Sequence, residues 1–219
     1  MKILVLATPR SGSTSLTKLI NAHLNPDYSL FIEPFNPNFY QLYKNKGFDF
    51  QTIIPLKNCN NLLVKTLLLV ENNEYPLKSF NSSNSYFDWC ISFFDKIILL
   101  DRIDKLAQSE SFAFNETMFR KYGIDWHTPK KYNIAEIDSL YIQNMVDRYT
   151  ASAKLLSSIS IKCEQPIFYY EDIFESYKKG EIEKIFNYLE INLIDSYYNE
   201  FILSQTKKVR IQNTLNKII

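Results

Sequence analysis

The chain has 219 residues, 46% of them hydrophobic and 22% charged, with a formal net charge of +1. This length suits one α/β domain with a sizeable core and would cramp two. The composition excludes a disordered chain and offers no basic excess for bulk nucleic-acid binding, so the expected partner is a small molecule.

The first predicted element is a buried strand, Ile3-Leu4-Val5-Leu6-Ala7. The run is too short for a signal peptide once Pro9-Arg10 interrupts it, and no later window reaches a membrane span, so a soluble cytoplasmic protein is expected. A hydroxyl-rich turn follows, Thr8-Pro9-Arg10-Ser11-Gly12-Ser13-Thr14-Ser15-Leu16, ahead of a helix over Ser13 to Leu24 carried by Leu16, Leu19, Ile20 and Leu24. Strand, turn and helix in this order make an anion site. The N–H groups of the first helical turn lack partners, the helix dipole adds positive charge, and Ser11, Ser13 and Thr14 supply hydroxyl donors. Gly12, one of only four glycines, lets the backbone approach a ligand closely. An ATP- or GTP-hydrolysing loop needs Gly-x-x-x-x-Gly-Lys-Ser/Thr, but Ala7 and Ser13 hold the first-glycine and lysine places and the charge has moved to Arg10. The loop suits a phosphate with no γ-phosphoryl group to transfer.

Next come a short strand over Tyr28 to Ile32, which places Glu33 at its C-terminal end before Pro34, and a helix-and-loop stretch from Pro34 to Lys57. A strong buried strand spans Leu62 to Val70, interrupted only by Lys65. A helix near Tyr86 to Phe94 leads to a fourth strand, Lys96 to Leu100, closing at Asp101-Arg102. Helical spacing returns from Asp104 to Tyr122 and from Glu136 to Ser158, separated by a loop, Ile124 to Asn133, that holds Trp126 and His127. The last strand is Pro166 to Asp172, followed by a helix through Ile182, Ile185, Phe186 and Leu189. Continuous apolar strands alternating with helices imply a parallel sheet covered on both faces. The expectation is a single three-layer, P-loop-like α/β domain over residues 1–219, with a central parallel sheet of four to five strands. Cys59, Cys90 and Cys163 are widely spaced without a Cys-x-x-Cys pair, which argues for reduced, buried thiols and against a zinc site.

A second anion-binding element follows the fourth strand. Arg102 offers a fork of donors at the strand tip, and Ser109 or Ser111 stands about two helical turns on, with the spacing favouring Ser111. In doubly wound sheets ligands sit beyond the strands' C-terminal ends, so Arg102 and the first loop can face one crevice and hold a ligand with two phosphate groups.

Together these segments resemble the sulfotransferase family that uses 3′-phosphoadenosine 5′-phosphosulfate, most closely its bacterial branch with the trehalose-type enzymes. Pro9-Arg10-Ser11-Gly12-Ser13-Thr14 resembles that family's 5′-phosphosulfate loop, continued here by Ser15 where a second leucine is often found. Arg102 to Ser111 resembles its 3′-phosphate element, Glu33-Pro34-Phe35 its acidic residue after strand two, Trp126-His127 its tryptophan–histidine pair, and Tyr170-Glu171-Asp172-Ile173 its Tyr-Glu-Asp-Leu stretch. The resemblance implies sulfuryl transfer to a hydroxyl or amine of a small-molecule or carbohydrate acceptor, with adenosine 3′,5′-bisphosphate as product and no metal required. Arg10 would stabilise the leaving 5′-phosphate, and Glu33 is the first candidate general base, with His127 its rival. Lys65 reads as a strand-end lysine reaching a wet edge or, alternatively, a sulfonate. Lys207, Lys208 and Arg210 read as a solvated basic run that can also close over the 3′-phosphate. Two other classes stay open, a P-loop small-molecule kinase and a non-catalytic nucleotide-binding module. The sequence leaves the acceptor and the oligomeric state open.

Overall fold

A computed structural model of the chain describes residues 1–68, 79–80, 82–122 and 138–204. The apolar runs form five strands: β1 (Lys2–Ala7), β2 (Ser29–Ile32), β3 (Leu62–Leu67), β4 (Lys96–Asp101) and β5 (Ile167–Tyr169). All pair in parallel, in the order β2-β3-β1-β4-β5. The helices are α1 (Ser13–His23), α2 (Pro37–Lys44), α3 (Ile54–Lys57), α4 (Ser83–Phe93), α5 (Lys105–Tyr122), α6 (Ser139–Cys163), α7 (Lys179–Leu189) and α8 over residues 195–204.

Side chains of a strand alternate between faces, and β1 uses both. Ile3, Val5 and Ala7 pack with Leu16 and Ile20 of α1 and with Ile182, Ile185 and Phe186 of α7. Leu4 and Leu6 pack on the opposite face with Cys90 of α4 and with Leu156 and Ile159 of α6. Helices cover both sides of an all-parallel sheet, so this is a three-layer α/β fold, as the alternation of apolar runs and helical spacing implied. No helix among the described residues is long and apolar enough to cross a membrane.

The largest departures from the sequence reading fall at three element ends. The third strand stops pairing at Leu67 rather than continuing to Val70, and residues 69–70 lie outside the described residues, as does the expected loop from Ile124 to Asn133. The last strand ends at Tyr169 rather than Asp172, because Glu171–Glu175 forms a single π-helical turn closed by Ser176 N–H donating to the Glu171 carbonyl at 2.8 Å. The chain leaves the sheet there because the Glu171 carboxylate accepts the backbone N–H of Ile103 at 3.0 Å and of Asp104 at 3.1 Å, just ahead of α5. Helix α6 runs on to Cys163, where Glu164 ends it in the left-handed region at φ 54.

This topology positions a site. The connection leaving β1 crosses toward β2 and the one leaving β4 runs toward β5, so the loops at the C-terminal ends of these adjacent strands part in opposite directions. Such a divergence opens the crevice in which doubly wound sheets bind ligands.

Candidate functional site

The loop after β1 has the geometry of an anion cradle. Arg10 and Gly12 both adopt left-handed backbone, at φ 62 and φ 78, and Gly12 stands directly before α1. No side chain caps α1 and no acidic residue occupies its first turn, so nothing in that turn offsets the positive end of the helix. Ser11 departs from its expected role: it is fully buried and its hydroxyl donates to the Thr8 carbonyl at 2.6 Å, so it braces the turn from inside. Ser13 is also buried, whereas Thr14 and Ser15 are half-buried on the first turn.

Gly12 is required for a reason the sequence did not disclose. A Cβ at this position would lie 2.3 Å from Cε2 of Phe174, so the space is taken by that ring rather than kept for a ligand. Phe174 is buried in the π-helical turn and stacks on Tyr170 with ring centroids 5.0 Å apart. Tyr170 in turn lies under the Arg102 guanidinium at 4.5 Å. A ladder of side chains therefore runs from the first loop to the tip of β4.

A second set of contacts joins the same places directly. Arg10 Nε donates to Ser111 Oγ of α5 at 3.1 Å. Thr8 Oγ1 donates to Asp101 Oδ1 at 2.6 Å, and Gln108, fully buried on α5, donates through Nε2 to Thr8 Oγ1 at 3.0 Å and to the Pro9 carbonyl. Asp101 also accepts from Lys105 Nζ at 2.6 Å, so this acidic strand end is already neutralised. Ser111, favoured by spacing, thus meets the first loop, whereas Ser109 is fully buried and donates to the Lys105 carbonyl at 2.7 Å.

The two arginines differ in what surrounds them. Arg102 lies 3.8 Å from Glu171 and 3.6 Å from Glu175, so carboxylates compensate its charge. Arg10 is half-buried and no carboxylate of the described residues pairs with it. Burial lowers its pKa, and the repulsion of Arg102 acts in the same direction. The Tyr149 hydroxyl, buried on α6 beside this guanidinium, has no hydrogen-bond partner among the described residues, and burial pushes its pKa up. A cation without a counter-ion next to an orphaned hydroxyl is a place where an anion gains more than water offers.

Glu33 sits at the end of β2, two strand spacings from β1, about 10 Å across the sheet. Its carboxylate pairs with Lys65 Nζ through Oε1 and accepts from Asn36 Nδ2 at 3.0 Å through Oε2. Lys65 is 2% exposed, so it does not snorkel to the edge as the sequence reading had it. It meets the Glu33 carboxylate instead. The aromatic residues after Glu33 are core rather than a stacking surface: Phe35 and Phe50 are 1% exposed and pack edge-to-face at 6.0 Å. His127, with Trp126, and the tail residues Lys207, Lys208 and Arg210 lie outside the described residues.

Sequence reasoning missed Thr8, Gln108, Tyr149 and Phe174. Gln108 and Tyr149 fall at ordinary helical spacing, and only the polarity of Gln108 one turn before Ser111 was a signal. Two pockets of about 270 and 280 Å³ open around Lys162, one beside the start of β4 and one between α4 and α6, and border none of these residues. Among the described residues no group of three or more His, Cys, Asp or Glu side chains gathers as a metal site would. No model of a known protein family matches the chain, and no curated protein matches it either.

Proposed function

We propose that the chain is a cytoplasmic sulfotransferase that binds 3′-phosphoadenosine 5′-phosphosulfate between the loop after β1 and the start of α5 and sulfates a hydroxyl or amine of a small-molecule or carbohydrate acceptor. One observation carries the reading: the Arg10 guanidinium reaches Ser111, joining both sequence-predicted anion-binding elements, and it does so without a carboxylate partner among the described residues. Arg102 by contrast has Glu171 and Glu175 beside it, which makes it the weaker phosphate holder of the two. The donor supplies a sulfuryl group already activated by a phosphate leaving group. The protein's own work is then positioning and charge stabilisation. Arg10, with the open first turn of α1, holds the 5′-phosphate oxygens and offsets the charge that builds on them. Ser111 and Arg102 hold the second phosphate. Glu33 takes the acceptor's proton.

The kinase reading fares worse on geometry. Asp101, the acidic strand end beside the loop, already accepts from Thr8 and Lys105, and Ser13 stands where the phosphate-binding lysine belongs. The test is calorimetric titration with adenosine 3′,5′-bisphosphate against adenosine 5′-monophosphate. A preference of about 100-fold for the bisphosphate, abolished in the Arg102→Ala, Ser111→Ala double variant, is expected from a second charged cradle, whereas Arg10→Ala should weaken both nucleotides alike. Equal weak binding of the two nucleotides removes the proposal.

A further inference from the structure

Glu33 is held from every side. Its backbone stands in the left-handed region at φ 49, a conformation that costs a non-glycine residue about 1–2 kcal/mol. Its N–H donates to the Lys65 carbonyl at 2.7 Å while the Lys65 ammonium returns to its carboxylate, so the two residues grip each other through backbone and side chain together. The residue before it is pinned as well: the Tyr43 hydroxyl, 8% exposed, accepts from Ile32 N–H and donates to Ile32 C=O, both at 2.8 Å. Asn36 fixes the second carboxylate oxygen.

This is more restraint than a strand end needs. Buried ion pairs add little stability over apolar residues of similar volume, because desolvating both charges offsets their attraction. A pair used only to staple β2 to β3 would not also call for a strained backbone at Glu33. Strain that the surroundings over-determine marks a side chain held for use.

We infer that Lys65 is a positioning residue, whose buried ammonium fixes the Glu33 carboxyl group in place at the strand ends. The inference rests on the reading of Glu33 as proton acceptor in the proposed transfer. A carboxylate has about four lone-pair sites, and Lys65 and Asn36 account for two. A free lone pair therefore meets the incoming acceptor and takes its O–H or N–H proton as the new bond to sulfur forms and the bond from sulfur to the donor's 5′-phosphate oxygen breaks, the electron pair leaving with adenosine 3′,5′-bisphosphate and the proton of Lys65 staying where it was.

The experiment is a double-mutant cycle of Lys65→Met and Glu33→Gln with three readouts: kcat and KM for release of adenosine 3′,5′-bisphosphate with trehalose or 4-nitrophenol as acceptor, the Kd for the bisphosphate, and the melting temperature. Lys65→Met should lower kcat by about 100-fold, the usual cost of a misplaced catalytic group. It should leave the bisphosphate Kd unchanged, and it should cost nothing further in the Glu33→Gln background. The melting temperature should fall by about 10 °C in Lys65→Met, which strands a buried carboxylate, and largely recover in the double variant. Equal loss of kcat in both backgrounds, or an unchanged kcat in Lys65→Met, overturns the positioning role. Additive melting shifts overturn the hold of Lys65 on Glu33 whatever the activity. A wild-type chain that does not bind the bisphosphate while the melting cycle shows coupling refutes the sulfotransferase reading and leaves that hold standing.

Discussion

Replacing Gly12 with alanine tests whether the first loop is held in shape by packing rather than by sequence propensity. Two costs add. At φ 78 an L side chain pays about 1–2 kcal/mol for left-handed backbone. The new methyl would also approach Phe174 at 2.3, 2.6 and 2.8 Å, and relieving such overpacking costs about 1–3 kcal/mol. Phe174 cannot simply swing away, because it is buried, stacks on Tyr170 and lies 5.6 Å from the Phe201 ring of α8. The sum is about 2–5 kcal/mol, a large share of a typical domain stability of about 5–15 kcal/mol. For a chain of this length that lowers the melting temperature by about 4–20 °C, measured by calorimetry or dye-based thermal melts. Adding Phe174→Leu should return the packing share and leave the backbone share, so the double variant should melt between Gly12→Ala and wild type if the new cavity costs less than the clash. A Gly12→Ala protein melting within about 1 °C of wild type would refute the account.

Arg10→Lys keeps the charge but loses the planar fork; bisphosphate affinity should fall about 10- to 100-fold by calorimetry with little change in melting temperature. Glu171→Ala strips the carboxylate from the N–H groups of Ile103 and Asp104 ahead of α5, and should lower stability by about 1–2 kcal/mol in urea titrations. The pH dependence has a definite sign. Burial pushes the Cys90 thiol up in the folded state, so above an unfolded thiol value of about 8.5 the unfolded chain sheds its proton first. Stability should therefore fall as pH rises through that point, by up to about 1.4 kcal/mol per pH unit, and Cys90 should escape thiol reagents until the chain unfolds. A Cys90→Ala variant that shows the same alkaline loss would assign the loss elsewhere.

The layers of the fold were legible because period and burial agree: Ile3 to Ala7, Leu62 to Val64 and Ile97 to Leu100 are apolar on both faces, as strands between two helical layers must be. The end of β5 was not. Tyr170-Glu171-Asp172 continues an aromatic run that reads as strand, and what bends it is the pull of α5's unpaired N–H groups on the Glu171 carboxylate across 67 and 68 residues of sequence. The site shows the same division. Arg10, Ser111 and Glu33 were visible as residue types at strand ends, whereas the neutralisation of Arg102 by Glu171 and Glu175, the burial of Ser11 and Ser109, and the pairing of Lys65 with Glu33 depend on which side chains the topology makes neighbours. Local sequence specifies how a hydroxyl or a guanidinium can bond, and only the fold decides whether another protein group has already taken the bond. The candidate ligand contacts are those the fold leaves unspent: the first turn of α1, the Arg10 guanidinium, and the Tyr149 hydroxyl at its side.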